Sequence, residues 1–301
     1  MKSTRRKARP ASRWMGFLAA ASAALPGFAH AQPVDLFYER AVMSAADLRC
    51  GLFAPEVAAA LAAATAQARG AALRGGASED SVRTVERQAQ TKASAVDCHS
   101  KDVSTAAARV RSSFAGFSKL TRLTYAGDLA GWSADRGAGR TARWRLAQET
   151  SFGGDRLAFG LAGREGLDAL VAVGAFADGA EPYAARLVLR DQTRSAQPYL
   201  ARYNGGSTAT LPLAQRLPPG IAQKAYGAGA RAVANEDLLP KGATRGWAFR
   251  FSDEAAVELT KLDPREAVAV EFLFPGDVVR RAYVEVGDFA AGYAFLRIAA
   301  R

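Results

Sequence analysis

Beyond the first 31 residues, this chain offers little to common catalytic chemistry. One of its two histidines, His30, lies inside that stretch and His99 is the other. A Ser-His-Asp or Cys-His triad would have to use His99, and its neighbour Cys98 is better explained by a disulfide. His99 therefore reads as a solvent-facing residue between helices. Gly131-Trp132-Ser133-Ala134-Asp135 comes nearest to a nucleophile elbow but lacks its second glycine. Nothing in the sequence groups histidine, cysteine and carboxylates as a metal requires, so no metal or cofactor is expected. Gly137-x-Gly139-x-x-Ala142 and Gly227-x-Gly229-x-x-Ala232 imitate a dinucleotide fingerprint, but neither follows a convincing strand or opens a βαβ unit. The open catalytic route is a carboxylate pair: Glu236-Asp237, with Glu254 or Glu271 elsewhere, could supply the acid and base of a glycan hydrolase.

A second kind of chemistry is recognition. Trp132, Arg136, Arg143 and Trp144 cluster in sequence, and aromatic and guanidinium groups together stack on sugars or grip carboxylates. The plainer reading makes Trp144 a core plug and the arginines the solvated guard of an edge strand.

These residues hang on two stretches of different period. Residues 34–118 carry four stripes at helical spacing. They are Phe37, Ala41, Ala45 and Leu48; Val57, Leu61, Ala64, Ala68 and Ala71; Val82, Val85, Ala89, Ala93 and Val96; and Val103, Ala107, Val110, Phe114 and Phe117. Gly51, Pro55, Gly75-Gly76 and Ser78 punctuate them. The stripe residues are mostly small, so the helices bury little apolar area. From about Tyr125 the period changes to two, as in Leu157, Phe159 and Leu161, in Trp247, Phe249 and Phe251, or in Val268, Val270, Phe272 and Phe274. Gly153-Gly154-Asp155 signals a turn, and short helices are expected at Asp253 to Leu262 and at Asp288 to Ile298. Residues 191–245 read as short strands and loops. The fold class is α+β: a helical bundle over 32–120, then an antiparallel β-sandwich over 121–301.

Residues 1–31 have the three parts of an export signal. Lys2, Arg5, Arg6, Lys7, Arg9 and Arg13 are basic, Trp14 to Leu25 is apolar, and Ala29-His30-Ala31 suits cleavage before Gln32. The apolar stretch is too short to span a membrane, and Lys7-Ala8-Arg9 departs from a twin-arginine signal. Removing six basic and no acidic residues lowers the formal charge from +11 to +5. That charge is scattered, which argues against nucleic acid. Export to the periplasm or beyond favours pairing the only two cysteines, Cys50 and Cys98.

The C-terminal residues order as a strand at Trp247 to Phe251, a helix ending near Leu262, strands at Val268 to Phe274 and Ala282 to Val286, and a closing Gly287-Asp288-Phe289-Ala290-Ala291. In that order this part resembles the invasion-associated locus B proteins, exported sandwich proteins of alphaproteobacteria. The resemblance implies an envelope protein and no particular reaction. The expectation is thus a non-enzymatic exported module binding an envelope protein or other envelope component, with a carboxylate-based glycan hydrolase as the alternative.

Overall fold

The computed structural model describes residues 33–139, 141–164, 168–202 and 208–298; the export signal expected at 1–31 lies outside them. Four helices come first: α1 (Pro33–Cys50), α2 (Pro55–Arg74), α3 (Glu79–Ala95) and α4 (Lys101–Phe117). Their starts follow local chemistry. Pro55 opens α2, where its missing N–H is no loss, and the hydroxyls of Ser78 and Ser100 accept from Ser81 N and Val103 N. Phe37, Ala68, Leu73, Val82 and Val85 form a small core among α1, α2 and α3. Val82, Val85, Ala89 and Ala93 of the α3 stripe are buried as their spacing predicts, while Val96 falls just past the helix. The α1 stripe is buried only in part: Phe37 is enclosed, whereas Leu48 near the end of the helix is 91% exposed. Cys50, ending α1, is bonded to Cys98, just past α3.

Eleven strands follow among the described residues. They are β1 (Arg122–Tyr125), β2 (Trp132–Asp135), β3 (Arg143–Phe152), β4 (Asp155–Gly163), β5 (Ala169–Ala175), β6 (Ala184–Arg190), β7 (Gln223–Gly227), β8 (Ala230–Val233), β9 (Trp247–Arg250), β10 (Ala267–Phe274) and β11 (Val278–Glu285). They form a seven-stranded sheet, β1-β2-β3-β4-β5-β9-β8, and a four-stranded sheet, β11-β10-β6-β7. Every pairing is antiparallel. The β3–β4 hairpin turns on Gly153-Gly154, with positive φ at the first, as a II′ turn requires. Residues alternating inward from both sheets, among them Leu157, Phe159, Leu187, Phe249, Val270, Phe272 and Val284, make one core between the sheets. The fold is a helical bundle followed by an antiparallel sandwich, and Gln32–Arg301 is one compact unit.

Two more helices close the sandwich, α5 (Asp253–Thr260) and α6 (Phe289–Leu296). Phe289 and Phe295 of α6 enter the sandwich core, while its other side meets α2. That approach depends on Gly70, where a Cβ would stand 2.1 Å from Asp288 Oδ1. Arg74 of α2 grips Asp288 with two bonds, of 2.5 and 2.9 Å. Burial pushes the Asp288 carboxyl up; Arg74 pulls it down by less, and Glu285 adds to the rise. A carboxyl raised in the folded state holds its proton to higher pH than in the unfolded chain, so its contribution to stability falls as pH rises through that window. The stability difference between the wild type and Asp288→Asn is therefore expected to move in favour of the wild type as pH is lowered towards 3.8, and to level off below it. Urea titrations across that range measure it, and a difference that stays flat would refute the raised value.

Candidate functional site

The four residues that lie together in sequence part company in space. Trp132 is wholly buried between the sheets, and its Nε1 donates to Val286 O at 2.9 Å. Trp144 packs on the opposite face of the larger sheet, against Leu238, and donates to Leu238 O at 3.1 Å. A break in register between Trp144 and Leu146 turns Leu146 inward and Trp144 outward. Arg136 is buried, not solvated. It donates to the carbonyls of Leu120, Phe117, Ser118 and Ile298 at 2.7 to 3.1 Å, and its guanidinium lies 4.2 Å from the Phe295 ring centroid. It ties the end of α4 to α6, and burial holds its pKa below the usual arginine value. Arg143 is bonded to Gly137 O and approaches Asp135 at 3.5 Å.

The carboxylates are as scattered. Glu236 and Asp237 are exposed on the turn that covers the outer face of the larger sheet. Glu254 takes bonds of 3.0 Å from Lys224 and from Tyr226. Glu271 is buried between Arg186 and Arg281 on the smaller sheet. His99 is exposed between α3 and α4. The first glycine run lies between the paired strands β2 and β3 and the second between β7 of the smaller sheet and β8 of the larger, so neither leads a strand into a helix.

Sequence reasoning missed a buried polar belt on the smaller sheet. Arg216, with no exposed surface, donates to Leu211 O at 2.9 Å, to Asp128 at 3.1 Å, to Glu285 at 3.3 Å and to Thr208 O. Glu285 also accepts from the backbone N–H groups of Asp128, Leu129 and Ala130 at 2.6 to 2.9 Å. Arg190 holds Glu266 with two bonds of 2.8 Å. Each of these charges meets an opposite one, which makes the belt an internal fastening.

Open chemistry gathers instead at one end of the sandwich, where three loops meet. These are the β3–β4 turn, the segment after β5 and the segment before β9. Two depressions of about 520 and 250 Å³ share Phe176, Gly179 and Arg245. Arg156 reaches across to Lys241 O, and Arg245 donates to Gly179 O at 3.1 Å. Glycine is required under both guanidinium groups. Gly242 and Gly179 have φ of +75° and +73°, and a Cβ on them would stand 2.4 Å from Arg156 Nη1 and 2.6 Å from Arg245 Nη2. Beside them the Arg231 guanidinium stacks 3.5 Å from the Trp247 ring centroid, and Val233 is 68% exposed.

The acids nearby already have partners. Arg280 binds Asp155 and Asp178, and brings Asp178 down to about 2. Glu181 faces Arg231 at 3.7 Å. Among the described residues Arg156 and Arg245 bond only backbone carbonyls, which leaves donors of both for an acidic group. The sequence marks this groove only by the turn at Gly153-Gly154, while Gly242 and Gly246 fall within the stretch expected as short strands and loops. No family model, no curated protein and no solved structure matches the chain.

Proposed function

We propose that the chain is an exported, non-enzymatic binding module of the bacterial envelope, and that the arginine-lined groove is where it meets an acidic group of its partner. The observation that carries this reading is the pair Arg156 and Arg245, without carboxylate partners among the described residues, beside the Arg231–Trp247 stack. Loops on a rigid sandwich are a common place for recognition. The disulfide suits an oxidising compartment. The leader sequence and the likeness of the C-terminal part to the invasion-associated locus B proteins support export. The carboxylates offered for hydrolysis lie on separate elements or are engaged by basic groups, which favours binding over turnover.

The test is co-sedimentation of the purified protein, from Gln32 onward, with envelope membranes and with peptidoglycan sacculi. A bond to a charged group contributes roughly 1.5–3 kcal/mol. Losing Arg156 and Arg245 together, as Arg156→Gln with Arg245→Gln, is expected to weaken binding by about tenfold or more. Binding unchanged in that variant, or turnover of sacculi by the purified protein, would sink the reading.

A further inference from the structure

We infer that the open edge of β8, alongside the groove, receives an extended acidic polypeptide as an added strand. This rests on the reading of the groove as the binding surface and names the class of partner.

The edge itself comes first. β8 ends the seven-stranded sheet and, among the described residues, pairs with β9 alone. Ala234 N bonds Gly246 O in the same register that sets Ala232 opposite Ala248. Antiparallel strands alternate in the side to which their peptide groups point. Ala232 therefore faces β9, and Arg231 and Val233 turn their N–H and C=O groups to the open side. The same rule works where it can be checked. Val286 N bonds Glu266 O, which turns the peptide groups of Glu285 outward from β10, and the Gln148 side chain takes them both. So the fold closes the β11 edge there with a glutamine and leaves the β8 edge without such a cap.

An edge strand is usually guarded by its own charge. The charge on β8 does not serve that purpose. Arg231 is folded back onto Trp247, with its Nε bonded to Pro182 O at 2.8 Å. The strand carries no lysine or proline, and all four of its residues are exposed.

The surroundings state what would pair there. On the groove side, Val233, Trp247 and Phe176 line the depression of about 250 Å³, which suits an apolar side chain. Arg245 follows in the adjoining one, whose far side Arg156 borders from β4. Glu181 and Asp178 are engaged by Arg231 and Arg280, so the net character offered to a newcomer is basic. Glu236 and Asp237 sit on the turn covering the opposite face of the sheet. An added strand obtains its affinity from main-chain bonds and its specificity from alternate side chains. Every second side chain of a strand points to one face, so an apolar and an acidic residue two positions apart, with a threonine between them, meet both demands on the groove side.

The probe is a short fluorescein-labelled peptide of repeating valine-threonine-glutamate-threonine, which turns valine and glutamate to one face, titrated by anisotropy against the protein from Gln32 onward. Saturable binding is expected, lost when lysine replaces glutamate in the peptide. N-methylation of alternate peptide residues is the decisive arm, since it removes strand bonds without touching the protein. In one phase it should weaken binding about tenfold or more, and in the other leave it nearly unchanged. Val233→Pro should weaken binding likewise, because its N–H faces outward, while Val233→Thr should not. No saturable binding, or equal binding of both methylated phases, overturns strand addition. If both phases bind equally while Arg156→Gln with Arg245→Gln still abolishes binding, the groove stands and only the strand is lost. If that double variant also binds as the wild type does, both readings fall.

Discussion

Replacing Arg216 by methionine is expected to lower the unfolding free energy by about 3–5 kcal/mol, the usual consequence of removing one partner from a buried ion pair. The side chain has no exposed surface. Two carboxylates rely on it unequally. Glu285 keeps three backbone N–H donors without it, whereas Asp128 keeps only the Thr208 hydroxyl among its side-chain partners in the described residues. The damage should therefore centre on Asp128 and on the segment from Thr208 to Leu217, whose carbonyls at Thr208 and Leu211 also bond Arg216. Urea denaturation measures the loss. Adding Asp128→Asn to Arg216→Met should recover part of it, because an uncompensated charge then becomes a neutral amide. If the single variant loses less than about 1 kcal/mol, or if the second change only adds further loss, the belt is not the fastening described above.

That segment also shows why one part of the fold was legible in the sequence and another was not. Helices and strands whose apolar residues recur at a fixed period were readable, down to the turn at Gly153-Gly154 and the N-cap at Ser78. Apart from the short edge strands β7 and β8, the described residues of 191–245 have no period because they cover the sheets and do not join them. One stretch brings Leu217 and Arg216 onto the outer face of the smaller sheet; another brings Leu238 under Trp144 on the outer face of the larger. Each stretch is anchored by one or a few leucines at irregular spacing, such as Leu211 and Leu217 in one and Leu238 in the other, and these carry no pattern. The same covering buries Glu285, which alternation alone places on a solvated face. Leu48 misled in the opposite sense: its spacing fits a stripe, but no element lies opposite to bury it.

The candidate site was opaque for a related reason. Arg156 lies at the start of β4, with Arg245 just before β9 and Trp247 at its start, far later in sequence, and only the pairing of β4, β5 and β9 brings them to one end. Nearness in sequence, by contrast, suggested Trp132 and Trp144 as partners. A one-residue irregularity at Arg145 was enough to put them on opposite faces.

Removing the Cys50–Cys98 bond is the other change with a large expected effect, and here the place of the loss matters as much as its size. The bond closes a separation of 48 residues, and the loss of chain entropy in the unfolded state then amounts to about 4 kcal/mol. In the native fold it ties α1 to the end of α3. The other holds on α1 are light: Phe37 and Ala46 are its fully buried residues, Arg49 also bonds Val96 O beyond α3, and a groove of about 390 Å³ lies open among α1, α2 and α3. Arg40 to Ala64 O at 2.7 Å and Ser44 to Thr65 at 3.1 Å are its side-chain bonds to α2. α2 is better placed, being fixed to α6 by Arg74–Asp288 and by the close approach at Gly70. Cys50→Ala with Cys98→Ala should thus release α1 first. In hydrogen exchange its amides should lose protection by orders of magnitude, those of α3 less, and those of α2 and the sandwich strands least. If protection fell evenly through all the elements, helices and sandwich would open as one unit and the bond would act on the whole fold. If α1 kept its protection, the small apolar contacts of the bundle would be sufficient by themselves, and the entropic account of this disulfide would be wrong.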